Sequence, residues 1–356
     1  MSTIRATQIH YSRPRLVDLA FVKPGLGLVL MIACINCTLE AGTHEMRVGE
    51  VGLLVEMDEK IRASDDGYPW TDWLAKTLQA ASTITGTFPR DNVRIKLRAS
   101  SGSSSPISFG QVRRSDPLEL RFYVSPGATL QGLTGDWRGY HEFAHLLIPF
   151  PGNDDIWFTE GFASYYQYLL QSRAGVISQR EAWQELMDGF ARGESDRSGR
   201  NRSLRNLSPD MWRERAYKRV YWTGAAFFLR VDVRLRTESG GTHSLDSALA
   251  AFHACCLYSR TRWNARQLVD ALGDNSIPEI WRQEYLRTIN APAVPRYAEA
   301  LDRLGIQGNR SNLRFDDDAA IKALRTAIAG GRRVPAGFDR IVGHGGPPHS
   351  PSSTSP

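Results

Sequence analysis

The segment GYHEFAHLLIPFPGNDDIWFTEGFASYY, from Gly139 to Tyr166, constrains this 356-residue chain more than any other feature. His141 and His145 are four residues apart. On a helix that spacing puts both imidazoles on one face, one turn apart. Two such rings can reach one zinc ion at roughly 2.0–2.1 Å. Glu142 directly follows His141, so its carboxylate stands beside the ion and can take a proton from water held there. The helix must end before Pro149, because the residue preceding a proline avoids helical backbone. Leu146, Leu147 and Ile148 mark it as largely buried. Two buried imidazoles and a buried carboxylate need partners. A metal ion supplies one.

A catalytic zinc site takes three protein ligands and keeps a fourth position open. Glu160 is the expected third. It belongs to a helix starting near Ile156, and the turn after Pro149 would bring the two helices antiparallel. Trp157, Phe158 and Phe162 surround it with apolar side chains. Asp154 and Asp155 are rivals, but with Asn153 they sit where helix caps belong. The expected centre is therefore one Zn2+ ion on His141, His145 and Glu160, with Glu142 as general base.

HEFAH followed by WFTEGFASYY resembles the gluzincin metallopeptidases, in which a glutamate on the following helix is the third zinc ligand. The run from Trp157 to Ser178 is similar to the glycyl aminopeptidase family and, more distantly, to the aminopeptidase N family. The likeness extends over residues 105–306. It implies an α+β fold, a thermolysin-like catalytic domain with a small mixed N-terminal subdomain and a mainly helical C-terminal one. It also implies a zinc-dependent, aminopeptidase-like enzyme acting on peptide or protein substrates. Both families carry a tyrosine three residues before a Gly-Ala pair, which donates to the oxyanion of the tetrahedral intermediate. RVYWTGA, Arg219 to Ala225, carries that role to Tyr221, with Tyr217 one turn earlier as a competitor.

The chain also departs from these families. Only fourteen residues separate His145 from Glu160, fewer than in either. The aminopeptidase N family has a Gly-x-Met-Glu-Asn strand whose glutamate binds the substrate's free amine. The corresponding stretch here is SFGQVRRS, Ser108 to Ser115. Gly110 would let a substrate backbone approach the strand. Arg113 and Arg114 stand where an acidic residue belongs; they would repel an amine and favour a carboxylate. The same motifs are compatible with two other readings, a non-catalytic zinc-binding protein of gluzincin fold and a zinc hydrolase of non-peptide substrates.

The rest of the chain sets the organisation. Residues 45–135 read as a mixed α/β subdomain. Trp70, Trp73, Leu74, Leu78 and Ala81 recur at helical spacing, and Asn92–Ser100 and Leu118–Val124 alternate as half-buried strands. SSGSSSPISFG reads as a loop leading to a further edge strand. Residues 136–330 read as helical, with capping boxes at Ser178/Glu181 and Asn264/Gln267. Residues 331–356 are rich in glycine, proline and serine and are expected to be disordered. Residues 1–44 read as a signal or anchor segment. The apolar run Leu26–Ile35 follows Arg13, Arg15 and Lys23 and is too short to span a bilayer. That favours an exported or cell-envelope protein, with membrane attachment through the segment, or a cytoplasmic one if the run is a buried strand. The net charge of +6 comes without any nucleic-acid-binding motif, so no nucleic-acid partner is expected. Cys255 and Cys256 are adjacent and not expected to pair. Nothing in the sequence fixes the oligomeric state.

Overall fold

The computed structural model describes residues 42–62, 69–101, 104–114, 118–257 and 261–344. Most of the expected signal or anchor segment lies outside them. Its boundary at residue 44 is corrected, because strand β1 already begins at Thr43.

Strands β1 (Thr43–Val48), β2 (Val51–Met57), β3 (Asn92–Ala99), β4 (Ile107–Arg113) and β5 (Glu119–Val124) build the first half. Much later come the short β6 (Ile306–Gln307) and β7 (Arg314–Phe315), which pair with each other, and β8 (Ile341–His344). The large sheet has the order β4-β5-β3-β2-β1-β8. Its β2/β3 and β3/β5 pairs are parallel and the others antiparallel. Successive side chains on a strand point to opposite faces, so alternating apolar residues gather on one of them. Leu53 and Val55 on β2, Val93 and Ile95 on β3, and Leu120 and Phe122 on β5 form that buried apolar face. On the opposite face Lys96 lies 3.2 Å from both Glu56 and Glu119 across neighbouring strands. The apolar face is covered by the helix Pro69–Ser82, whose Trp73 ring meets Phe122 edge-on at 5.0 Å. β4 is left at the free edge of the sheet.

The motif helix spans Trp137–Ala144. Asp136 caps it, accepting the Arg138 backbone N–H at 3.0 Å. The last turn tightens into a 3-10 helix, His145–Leu147, and the chain is extended at Ile148, just before Pro149. The next helix, Ile156–Arg173, is the axis of the helical half. Every residue in it except Glu160 is buried. A helix buried on all sides belongs to a core, and its one partly exposed residue, Glu160, marks where the core opens.

This axial helix crosses the helix Tyr217–Glu238 at a contact made by two glycines. A Cβ on Gly161 would lie 2.3 Å from Gly224 Cα, and one on Gly224 would lie 2.3 Å from the Trp157 carbonyl oxygen. The backbones touch because neither residue has a side chain.

Three further expectations are revised. Residues 331–344, expected to be disordered, return to the body. Arg332 reaches the buried Asp246 at 2.6 Å, Phe338 is buried, and β8 pairs with β1. An ion pair and one aromatic anchor outweigh the loop-like composition. Asp155 occupies the N-cap position of the Ile156 helix, but its carboxylate instead accepts the backbone N–H of Ala265 at 2.9 Å, at the start of another helix. Cys255 and Cys256 are joined by a disulfide where the helix Leu245–Cys255 ends and the chain leaves helical geometry at Cys256. Among the described residues no helix is long and apolar enough to cross a membrane.

Candidate metal centre

The structure brings His141, His145 and Glu160 together, with one potential ligand atom from each lying within 4.8 Å of the others. Nε2 of His141 is 3.3 Å from Glu160 Oε2, and Nε2 of His145 is 3.6 Å from the same oxygen. Tetrahedral ligands about 2.0–2.1 Å from a common zinc ion stand roughly 3.3 Å apart. The other ring nitrogens are already engaged. His141 Nδ1 lies 2.9 Å from Gln167 Oε1, and His145 Nδ1 lies 2.9 Å from Thr159 Oγ1. A carboxamide oxygen only accepts, so the proton of a neutral His141 sits on Nδ1 and its Nε2 lone pair faces the centre. The donor set, its spacing and its outer partners fit a single zinc ion. Asp154 and Asp155 are not part of the cluster.

Thr159 and Gln167 do not stand out in the sequence as site residues. Their signal is positional. Thr159 precedes Glu160, and Gln167 lies seven residues after it, two turns along the same helix face. Gln167→Leu is expected to weaken zinc affinity by about 10–100-fold, measured by competition with a chelator of known affinity.

The electrostatics follow from crowding. Burial raises Glu160's pKa, but the nearby His145 charge and hydrogen bonds to both histidines overcome it and hold the carboxyl well below its usual range. Burial disfavours the charged form of His141, yet contact with Glu160 and the charge of Glu142 leave its pKa raised. For His145 burial prevails, and the pKa falls. Burial pushes Glu142 up to about 7, with His141 and Arg114 opposing and Glu160 adding to the rise. An acid whose folded pKa exceeds its unfolded value binds more protons when folded, so its contribution to stability declines as pH rises between the two. With the metal chelated, Glu142→Gln should therefore gain thermal stability relative to the wild type as pH rises from about 4.5 to about 7. Paired melting curves across that range check it.

Glu142 is placed by the edge strand. A Cβ on Gly110 would lie 2.7 Å from Glu142 Cγ and 3.0 Å from its Oε1. Gly110 lines the cleft beside β4, and the space left by its missing Cβ holds the Glu142 side chain. Tyr221 stacks beside His141, with ring centroids 6.2 Å apart and planes at 17°. Tyr217, the competitor, packs on Trp212 with ring centroids 5.1 Å apart. Burial and the Glu160 charge push the Tyr221 phenol far above its ordinary pKa, so it stays protonated.

The centre opens on two sides. A cleft of about 270 Å3 beside β4 is lined by Gly110, Val112, Arg114, Phe150 and Trp212 together with the centre itself. A chamber of about 660 Å3 lies against His141 and Tyr221 and is lined by Trp137, Gln171, Glu181, Glu185 and Arg192. Of the two arginines singled out in the sequence, only Arg114 lines the cleft. Arg113, the last residue of β4, is exposed and pairs in register with Glu119.

Comparison with known proteins bears on the fold. The M61 glycyl aminopeptidase family model matches residues 151–225. An aminopeptidase N family protein from Idiomarina loihiensis superimposes with a TM-score of 0.57 at 15% identity, over 74% of this chain and 49% of its own. The fold is that of this aminopeptidase N family protein. An M1 zinc metallopeptidase from Deinococcus radiodurans gives a TM-score of 0.49 at 14% identity, over 72% of this chain and 53% of its own. The chain spans about half the length of these two structures. No curated protein sequence matches it. The family match begins at Pro151, after HEFAH, so it covers Glu160 and Tyr221 but neither histidine. The convergence of the histidines on Glu160 is a feature of the folded chain.

Proposed function

We propose that this chain is a zinc-dependent metallopeptidase, aminopeptidase-like, that hydrolyses peptide bonds of peptide or protein substrates. The observation that carries it is the convergence of His141, His145 and Glu160 with Glu142 held beside them and Tyr221 against His141. Bound zinc would polarise the scissile carbonyl and lower the pKa of water toward about 7. Glu142, beside the ligand cluster, takes the proton of the attacking water and passes it to the leaving amine. Tyr221 donates its O–H to the oxyanion, adding stabilisation without adding charge. Thr159 and Gln167 hold the imidazoles in position. An exported or envelope location, suggested by residues 1–44, belongs to the same reading and is tested by cell fractionation.

The test is a mass-spectrometric cleavage profile of a mixed peptide library, run on the wild type and on Glu142→Gln. Stepwise loss of N-terminal residues, absent with the variant, supports the proposal in full. Internal cuts that are absent with the variant keep the metallopeptidase and remove the aminopeptidase character. Intact peptides in the presence of zinc-loaded wild type overturn the proposal. Tyr221→Phe is expected to lower kcat by roughly 100-fold or more while leaving zinc content unchanged. Steady-state kinetics beside metal analysis check it, and an unchanged kcat removes Tyr221 from the mechanism.

A further inference from the structure

Arg114 occupies an unusual position for a cation. It follows β4 directly, at the end of the edge strand, and lines the cleft that contains Glu142, Glu160 and Tyr221. Its guanidinium sits 5.0 Å above the Phe150 ring, a cation–π contact that fixes the head group. The residue keeps an exposed side from which a ligand can reach it. The protein crowded around the head group lowers its pKa to about 10, which leaves it charged at neutral pH. It feels the fields of Glu160 and Glu142, but among the described residues it has no ion-pair partner. Arg90 adds a second positive charge in the neighbourhood.

The charges of the loaded centre make this consequential. Glu142 and Glu160 together offset the two charges of a zinc ion. Among the described residues Arg114 is then unmatched, in a cleft walled by Phe109, Val112, Phe150 and Trp212. A ligand entering that cleft displaces the water that solvates the guanidinium, and a cation stripped of water without a counter-charge is unfavourable. A substrate carboxylate removes that imbalance, whereas a substrate ammonium beside Arg114 worsens it. The carboxylates of the other chamber are already occupied. Glu181 accepts from the Ser178 backbone and hydroxyl, and Glu185 pairs with Arg310 at 2.8 Å. The cleft therefore offers a cation to the substrate where an amine-binding site would offer an anion.

We infer that Arg114 is a specificity-determining residue that selects substrates carrying a carboxylate close to the scissile bond. The inference rests on the metallopeptidase reading. The carboxylate is supplied either by the C-terminus of a very short peptide or by an acidic side chain. Planar, bidentate recognition of a carboxylate suits a guanidinium better than an ammonium. The two exposed aromatics at the rim, Phe109 at 51% and Trp212 at 58% exposure, supply apolar contact for the rest of the ligand.

Binding, measured without turnover, tests this. The full chain carrying Glu142→Gln is loaded with zinc, its metal content is measured, and it is titrated calorimetrically with Ala-Ala, Ala-Ala-amide, Ala-Glu-amide and Ala-Gln-amide. A charge-assisted pair predicts that at least one carboxylate ligand binds roughly tenfold or more tightly than its neutral counterpart. A preference within the first pair assigns the carboxylate to the chain end, and one within the second assigns it to a side chain. Adding Arg114→Gln should bring the ratio close to one, and Arg114→Lys should restore part of it. A loss of packing alone would weaken acid and amide equally. Ratios near one before Arg114 is changed, or a preference that survives Arg114→Gln, overturn the inference while the metallopeptidase reading stands. A protein that takes up no zinc overturns the reading itself.

Discussion

Glu142→Gln is expected to give a folded, zinc-loaded protein whose peptidase activity is reduced by roughly 100- to 10,000-fold. The substitution preserves the shape that Gly110 accommodates, where Glu142 Cγ lies 2.7 Å from the position of a Cβ. It also leaves both histidines and Glu160 untouched. The change is therefore confined to the proton. A carboxylate can accept a proton from water and release it to an amine within one turnover. A carboxamide can do neither. Single-turnover hydrolysis of a cleavable peptide, with zinc quantified in the same sample, measures the effect. Equal rates in the two proteins would mean that proton transfer has another agent, and Glu142 would be reduced to a wall of the site. The complementary substitution is Gly110→Ala. It leaves the base chemically intact but drives a methyl group into it, so activity should fall although every ionisable group remains.

The parts of this molecule that were legible in the sequence are those set by local periodicity. The helix through Trp70, Trp73, Leu74 and Leu78, the strands through Ile95 and Phe122, and the capping boxes at Ser178 and Asn264 each announce themselves within a few residues. The spacing of His141, Glu142 and His145 is legible for the same reason. What was not legible depends on distant segments meeting. Nothing local to Arg332 or Ile341 shows that they return to Asp246 and to β1. Asp155 looks like the cap of its own helix and serves the start of another. Arg113 and Arg114 are equivalent in sequence, yet only the second lines the cleft. Gly110 was legible as a special position, but its contact with Glu142 was not, because Glu142 comes from another element. Thr159 and Gln167 acquire meaning only once the histidines are seen to face the axial helix.

Gly224→Val is expected to cost about 3 kcal/mol or more, as overpacking of a rigid contact does, and to lower the melting temperature by roughly 5–10 °C. A side chain at this position would meet the Trp157 carbonyl oxygen at 2.3 Å and Gly161 Cα at 2.7 Å. Both are backbone atoms of a buried helix, so no rotamer change relieves the clash and the two helices must separate. Glycine in a helix is itself unfavourable by about 1 kcal/mol relative to alanine. A destabilisation on its replacement therefore has to come from packing. Gly127→Ala, where a new Cβ meets nothing within 4 Å, is the control and should be nearly neutral. The same separation carries Tyr221, three residues before Gly224, away from Glu160, which adjoins Gly161. Activity should consequently fall even at temperatures where the variant is fully folded. Gly161→Ala strikes the same contact from the other side, so the two substitutions should not add. Once one has parted the helices, the second enters space already opened. Thermal unfolding of the single and double variants measures that coupling, and strictly additive losses would show that the crossing is not the shared contact that sets the spacing of tyrosine and glutamate.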